Sequence, residues 1–224
     1  MIKRYGFFGW QRFKRMITRK SITKDYVRSY INRIFQRNGY EFYTEPYKLN
    51  IFGVRLVVNT DSFDDIICVV YFDSEKKMQI EIFNAATEPG FKYMKTPLNA
   101  KGAAILVPGQ YINVYKKGPH GSSKYTALRQ SKPFKVYRDN DKDVVHNLKA
   151  PIDEGIFYIN LHRAEKYKVR TYIGPYSAGC QVVQKYSDFE TLMDIVDLSG
   201  KHGNKNFTYT LFTKDEFTDY GSTI

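Results

Sequence analysis

Residues 51–83 read IFGVRLVVNTDSFDDIICVVYFDSEKKMQIEIF. Three apolar runs, Ile51 to Val58, Ile66 to Phe72 and Met78 to Phe83, stand between clusters of Asp, Asn, Ser and Lys. β-Branched and aromatic side chains dominate them, so each reads as a strand. Cys68 lies inside the second run, where an unpaired cysteine behaves as a small hydrophobe. The same texture continues at 103–107, 111–115, 134–138, 156–161, 169–173, 180–184 and 207–212. Pro89-Gly90, Pro108-Gly109, Lys117-Gly118-Pro119, Asp139-Asn140-Asp141 and Gly174-Pro175 punctuate these runs as turns. One helix is expected at 187–198, capped by Ser187 or Asp188, with Phe189, Leu192, Met193 and Val196 facing the core. The fold class expected is mainly β (α+β), a sandwich or barrel with a small number of helices.

The chain ahead of these strands has a different character. Of the formal net charge of +12, residues 1–40 carry +10, from eleven Lys and Arg against Asp25. Helical spacing of Phe7, Phe8, Trp10, Phe13, Met16 and Ile17 predicts one amphipathic helix. A second follows over 22–37, on Tyr26, Val27, Tyr30, Ile31, Ile34 and Phe35, with Ser21 or Thr23 as cap and Asn38-Gly39 as stop. The expected organisation is therefore a basic helical segment, 1–40, and a β-rich domain, 41–224. Three readings of the basic segment stay open: a solvated face of packed helices, a site for nucleic acid, membrane surface or wall polymer, and a dock for another protein. The 224 residues contain two cysteines, too few for a disulfide framework. The sequence has no apolar run of membrane-spanning length, and no secretory signal is expected, so a chain acting outside the cytoplasm is expected to use another delivery route.

Residues 155–183, GIFYINLHRAEKYKVRTYIGPYSAGCQVV, carry the chemistry. An apolar strand ends in His162, and after a polar excursion Ser177-Ala178-Gly179-Cys180 leads into Val182-Val183. A cysteine nucleophile needs a base to take its proton, and a neighbouring imidazole is that base. Small residues before Cys180 let a substrate approach and let backbone N–H groups face a developing oxyanion. A structural thiol and a core histidine are the bland alternative.

The run His162, fourteen residues, then Ser177-Ala178-Gly179-Cys180 resembles the motif of the YkuD-type L,D-transpeptidases: His, 14–17 residues, Ser or Thr, His, Gly, Cys. Ala86-Thr87-Glu88-Pro89-Gly90 is similar to that family's Thr-Pro-Thr-Gly region. The family's second histidine is Ala178 here, which leaves His162 as the sole candidate base. The resemblance implies a YkuD-like β domain and a cysteine enzyme acting on peptidoglycan stem peptides through a thioester. In it Cys180 is the nucleophile, His162 the base, the Arg163 carbonyl or a nearby side chain its orienter, and Gly179 and Cys180 supply the oxyanion donors within the Ser177 turn. Segments Gly102 to Tyr111, Ala127 to Gln130, Val136 to Asn140 and Ser177 to Gln181 also resemble a group of phage and prophage proteins, which implies a viral setting.

Four further residues are candidate substrate contacts. His120 sits in the loop Lys117 to Ser123, Arg129 and Arg138 suit a peptide carboxylate, and Gln181 follows the cysteine where the transpeptidase family often carries Arg or Asn. His146 and His202 lie in polar stretches with no functional signal. No His or Cys pair has metal-ligand spacing, so neither metal nor cofactor is expected. The expected partners are peptidoglycan peptides, with virion proteins or an anionic surface as partners of residues 1–40. The rival readings are a non-enzymatic virion or wall-binding protein keeping the fold, and nucleic-acid or membrane-surface binding through residues 1–40.

Overall fold

Asn50 to Phe72 folds back on itself as two antiparallel strands, β1 (Asn50–Arg55) and β2 (Asp65–Phe72), with Asn50 opposite Val70 and Val54 opposite Ile66. The computed structural model describes residues 19–122 and 124–218. Among them, β1 and β2 join β3 (Met78–Ala86), β5 (Gly109–His120), β6 (Tyr125–Gln130), β9 (Leu161–Arg163), β10 (Gln181–Val183) and β11 (Asn206–Thr213). These strands close into a barrel in the order β1-β11-β5-β6-β9-β10-β3-β2. A separate sheet pairs β4 (Ala103–Leu106), β7 (Phe134–Asp139) and β8 (Ile152–Gly155). The class is mainly β within α+β. The helices are α1 (Lys24–Arg37), α2 (Phe91–Lys95), α3 (Tyr186–Lys201) and α4 (Lys214–Thr218). No described helix is long and apolar enough to cross a membrane.

The unbroken apolar runs of β1 and β2 have a physical cause: both faces are buried. Ile51, Ile67 and Val69 face one cluster with Phe83, Leu128, Leu161, Tyr209 and Leu211. Phe52, Val54, Ile66, Cys68 and Val70 face another, made with Val27, Ile31, Ile34 and Phe35 of α1. Those four α1 residues form one helical stripe, and burying them favours the docked helix by roughly 6–12 kcal/mol before entropy costs. So α1 is packed against the barrel. Its exposed charges form ordinary surface pairs, Lys24–Glu81 at 2.8 Å and Arg28–Asp25 at 2.9 Å. Thr23 caps it by accepting the Tyr26 N–H, and Asn38 and Gly39 end it. The helix predicted over residues 6–18 lies outside the described residues.

Four expectations are corrected. Lys117-Gly118-Pro119 is no turn and His120 no loop residue: all four lie in β5, paired with β6 from Leu128 to Tyr125. Residues 169–173 are no strand: Arg170 and Tyr176 both bind the Glu165 carboxylate, which folds the segment as a loop, and Tyr172 makes one isolated bridge to Ser62. The strand expected at 156–161 is displaced to β8 and β9 on either side of an irregular stretch. Helix α3 starts at Tyr186 with Lys185 as its N-cap, ahead of the expected caps Ser187 and Asp188.

Candidate active site

Strand β9 is only three residues long, yet it is pinned on both edges. Leu161 pairs with Leu128 of β6, while Leu161, His162 and Arg163 run parallel to Gln181, Val182 and Val183 of β10. The Gln181 N–H donates to the Asn160 carbonyl and the Ala164 N–H to the Val183 carbonyl, both at 2.9 Å. Cys180 therefore enters β10 two residues before the partner of His162. At ordinary strand spacings the two Cα atoms lie about 8 Å apart, within reach of a His–Cys contact.

A kink sets what faces the thiol. Tyr158 has φ +59, a left-handed conformation rare for a non-glycine residue. The Gln130 side chain holds it there. Its Oε1 accepts the N–H groups of Phe157 and Ile159, at 2.9 and 3.0 Å, on either side of Tyr158. Its Nε2 donates to the carbonyls of Lys132 and Gly155. The kink turns the Tyr158 carbonyl toward Cys180, whose thiol donates to it at 3.5 Å.

His162 is buried, and its ring is oriented by backbone. Its Nδ1 lies 2.8 Å from the Arg163 carbonyl oxygen, which can only accept, so Nδ1 carries the proton and Nε2 the lone pair. The Tyr125 hydroxyl sits 3.2 Å from the same nitrogen. The His120 ring stacks on His162, with centroids 4.1 Å apart and planes at 24°. Burial, then the like charge of His120, hold the His162 imidazolium down to about 3. Burial pushes the Cys180 thiol up to about 11, with the Asn160 backbone N–H as a partial counterweight. At neutral pH the site therefore holds a thiol and a neutral imidazole, not a thiolate–imidazolium pair.

The turn before Cys180 is self-contained. Ser177 donates its hydroxyl to the Cys180 carbonyl at 2.8 Å and accepts the Gly179 N–H at 3.1 Å. The Gly179 N–H is thus spent inside the turn, which corrects the expectation that it serves an oxyanion. Gly179 itself is required: φ is +127, and a Cβ there would lie 2.3 Å from the Ala104 carbonyl oxygen. The segment Thr87 to Gly90 abuts this turn, with the Gly90 N–H on the Ser177 carbonyl at 2.9 Å. Beneath it Arg55 donates to Thr87 and the Leu106 carbonyl, and Asp65 accepts from Thr87 and the Leu56 N–H.

The other predicted site residues divide. His120 joins His162, and the Arg129 charge lies close enough to oppose protonation of His120. Gln181 does not face a ligand: its side chain is buried and bonded to the Thr87 and Gly179 carbonyls and the Tyr209 hydroxyl. Arg138 is committed as well, on β7, to Asp153 at 3.1 Å, the Gly102 carbonyl and the Phe157 ring. His146, read as a polar-stretch residue, is buried: the Asn59 N–H donates to its Nδ1, and Nε2 lies 3.3 Å from the Pro89 carbonyl. It stands 3.6 Å from Glu88, whose carboxyl is buried with the Arg55 guanidinium 3.8 Å away and is raised by burial to about 8. His202 stacks on Tyr47.

Sequence reasoning missed Tyr125, Gln130 and Asn160. Tyr125 and Gln130 are the two ends of a strand, β6, whose alternation is too short to stand out, and Asn160 gives no signal within an apolar run. Tyr125, Arg163, Lys166, Tyr186, Phe189 and Glu190 also line a cleft of about 560 Å³ against α3. No protein-family model, curated protein or solved structure matches this chain.

Proposed function

We propose that the chain is a cysteine-nucleophile enzyme with a YkuD-like domain that acts on peptidoglycan stem peptides. The observation that carries the reading is the His162 Nδ1–Arg163 carbonyl bond, which leaves Nε2 free as proton acceptor on the strand beside Cys180. In this reading the Cys180 S–H proton passes to His162 Nε2 as sulfur bonds to the substrate carbonyl carbon. The oxyanion falls to the Cys180 N–H. Collapse breaks the C–N bond, and His162 returns the proton to the leaving amine. Water then attacks the thioester, its proton again taken by His162, and the C–S bond breaks to restore the thiol. Hydrolysis is chosen over transpeptidation because the resemblance to phage proteins favours opening a wall.

Because the resting thiol is un-ionised, proton transfer has to accompany attack and depends on substrate closing the site. The same observation favours a second reading, a non-enzymatic virion or wall-binding protein that keeps the fold. Incubation with stem tetrapeptide separates the two: the enzyme reading requires an acyl adduct or product that Cys180→Ala abolishes, and wall binding without either supports the second.

A further inference from the structure

His120 ends β5 and lies opposite Tyr125 across the β5–β6 hairpin. Its orientation is set by Asn160. The Asn160 Oδ1 accepts the Gln130 backbone N–H at 2.9 Å, a bond that only the oxygen can make, so the amide nitrogen faces His120. That nitrogen lies 3.0 Å from His120 Nδ1. Nδ1 is therefore the acceptor, and the neutral His120 ring carries its proton on Nε2. The ring plane covers His162 at 4.1 Å. The charged neighbours of the pair act in one direction, while the Arg163 carbonyl on His162 Nδ1 acts in the other. Arg129 on β6 and Arg163 on β9 oppose a charge on His120, and Arg163 and His120 oppose one on His162. Tyr125 on β6 and Cys180 ahead of β10 stay neutral at neutral pH, and α3 contributes the apolar Phe189 against Tyr125.

We propose that His120 is a positioning residue for His162: its neutral ring, pinned by Asn160, stacks on the His162 imidazole and keeps it on the Arg163 carbonyl with Nε2 as the proton acceptor. A second charge on the stacked pair is opposed by the first, so a neutral His120 leaves His162 able to take the proton that leaves Cys180. Its purpose in catalysis rests on the reading above; the positioning itself does not.

The test is nitrogen-detected NMR of the histidine rings in the full chain at pH 7, followed by titration. Wild-type protein should show His120 protonated on Nε2 alone and His162 on Nδ1 alone. His120→Ala should leave His162 as a mixture of both tautomers, and His120→Phe, which keeps a flat ring, should restore the single form. In both variants the His162 titration midpoint should rise, by about one pH unit, as the facing like charge is removed. A wild-type His120 protonated on Nδ1 overturns the proposal without any variant, and so does an unchanged His162 in His120→Ala. An intact NMR signature with no acyl adduct sinks the enzyme reading and leaves the positioning standing.

Discussion

The un-ionised Cys180–His162 pair makes a quantitative prediction about alkylation. At pH 8 a thiol held at about 11 is ionised about one part in a thousand, against about one part in ten for a thiol at about 9. The rarer thiolate is more basic, and with a Brønsted slope near 0.45 two units of basicity make it about eightfold more reactive. Cys180 in the native protein should therefore react with iodoacetamide about tenfold more slowly than the same thiol in the unfolded chain. The pH profile is the sharper signature. The logarithm of the native rate should climb by about one for each pH unit from 6 to 10, the slope of a simple deprotonation. Cys68 is fully buried and should stay unmodified until the chain unfolds, and peptide mapping assigns the label. A thiolate–imidazolium pair already formed at rest would instead give a flat rate from about pH 5 to 8, and that plateau would refute the reasoning.

Gln130→Ala removes four hydrogen bonds to backbone groups around Tyr158. At about 1 kcal/mol each, the cost is about 4 kcal/mol and lowers Tm by roughly 8–16 °C; a drop under 2 °C would show that the kink holds itself. Gly179→Ala meets both a left-handed φ of +127 and the Ala104 carbonyl, whereas Gly121, at φ +66, has open space around it. The first substitution should cost at least about 3 kcal/mol and the second about 1 kcal/mol, read from paired denaturant melts; equal costs would contradict the packing at the turn. Glu88 is raised from an ordinary 4.5 to about 8, so its contribution to stability is present below about 4.5 and is lost as pH rises toward 8. Glu88→Gln should narrow the gap between the pH 5 and pH 8 melting curves, the remainder belonging to Asp65, which burial also raises, to about 6; an unaltered gap assigns the loss elsewhere.

The strands were legible wherever burial on two faces wrote a continuous apolar run, as in β1, β2 and β11. They were not legible where pairing rests on a few residues. β9 has three residues and owes its existence to neighbours on both sides, information that no local window contains. Residues 169–173 failed for the opposite reason: β-branched and aromatic residues there are overridden by the Glu165 bonds to Arg170 and Tyr176. In the site, His162 and Cys180 were singled out by the resemblance of their motif, and the structure sets Cys180 immediately ahead of β10, which pairs with the His162 strand. The roles of Gln181 and Arg138 were not legible, because residue type says what a side chain can bind and tertiary packing decides what it does bind. The His120 stack depends on the β5–β6 hairpin meeting β9, a long-range register that the sequence does not display.

Intact-mass spectrometry of the full chain incubated with purified stem tetrapeptide tests the central claim most directly. A mass increment equal to an acyl group, mapped to Cys180, absent in Cys180→Ala and strongly reduced in His162→Ala, is the predicted result. No increment and no peptide product, with the wild-type chain folded, would contradict it.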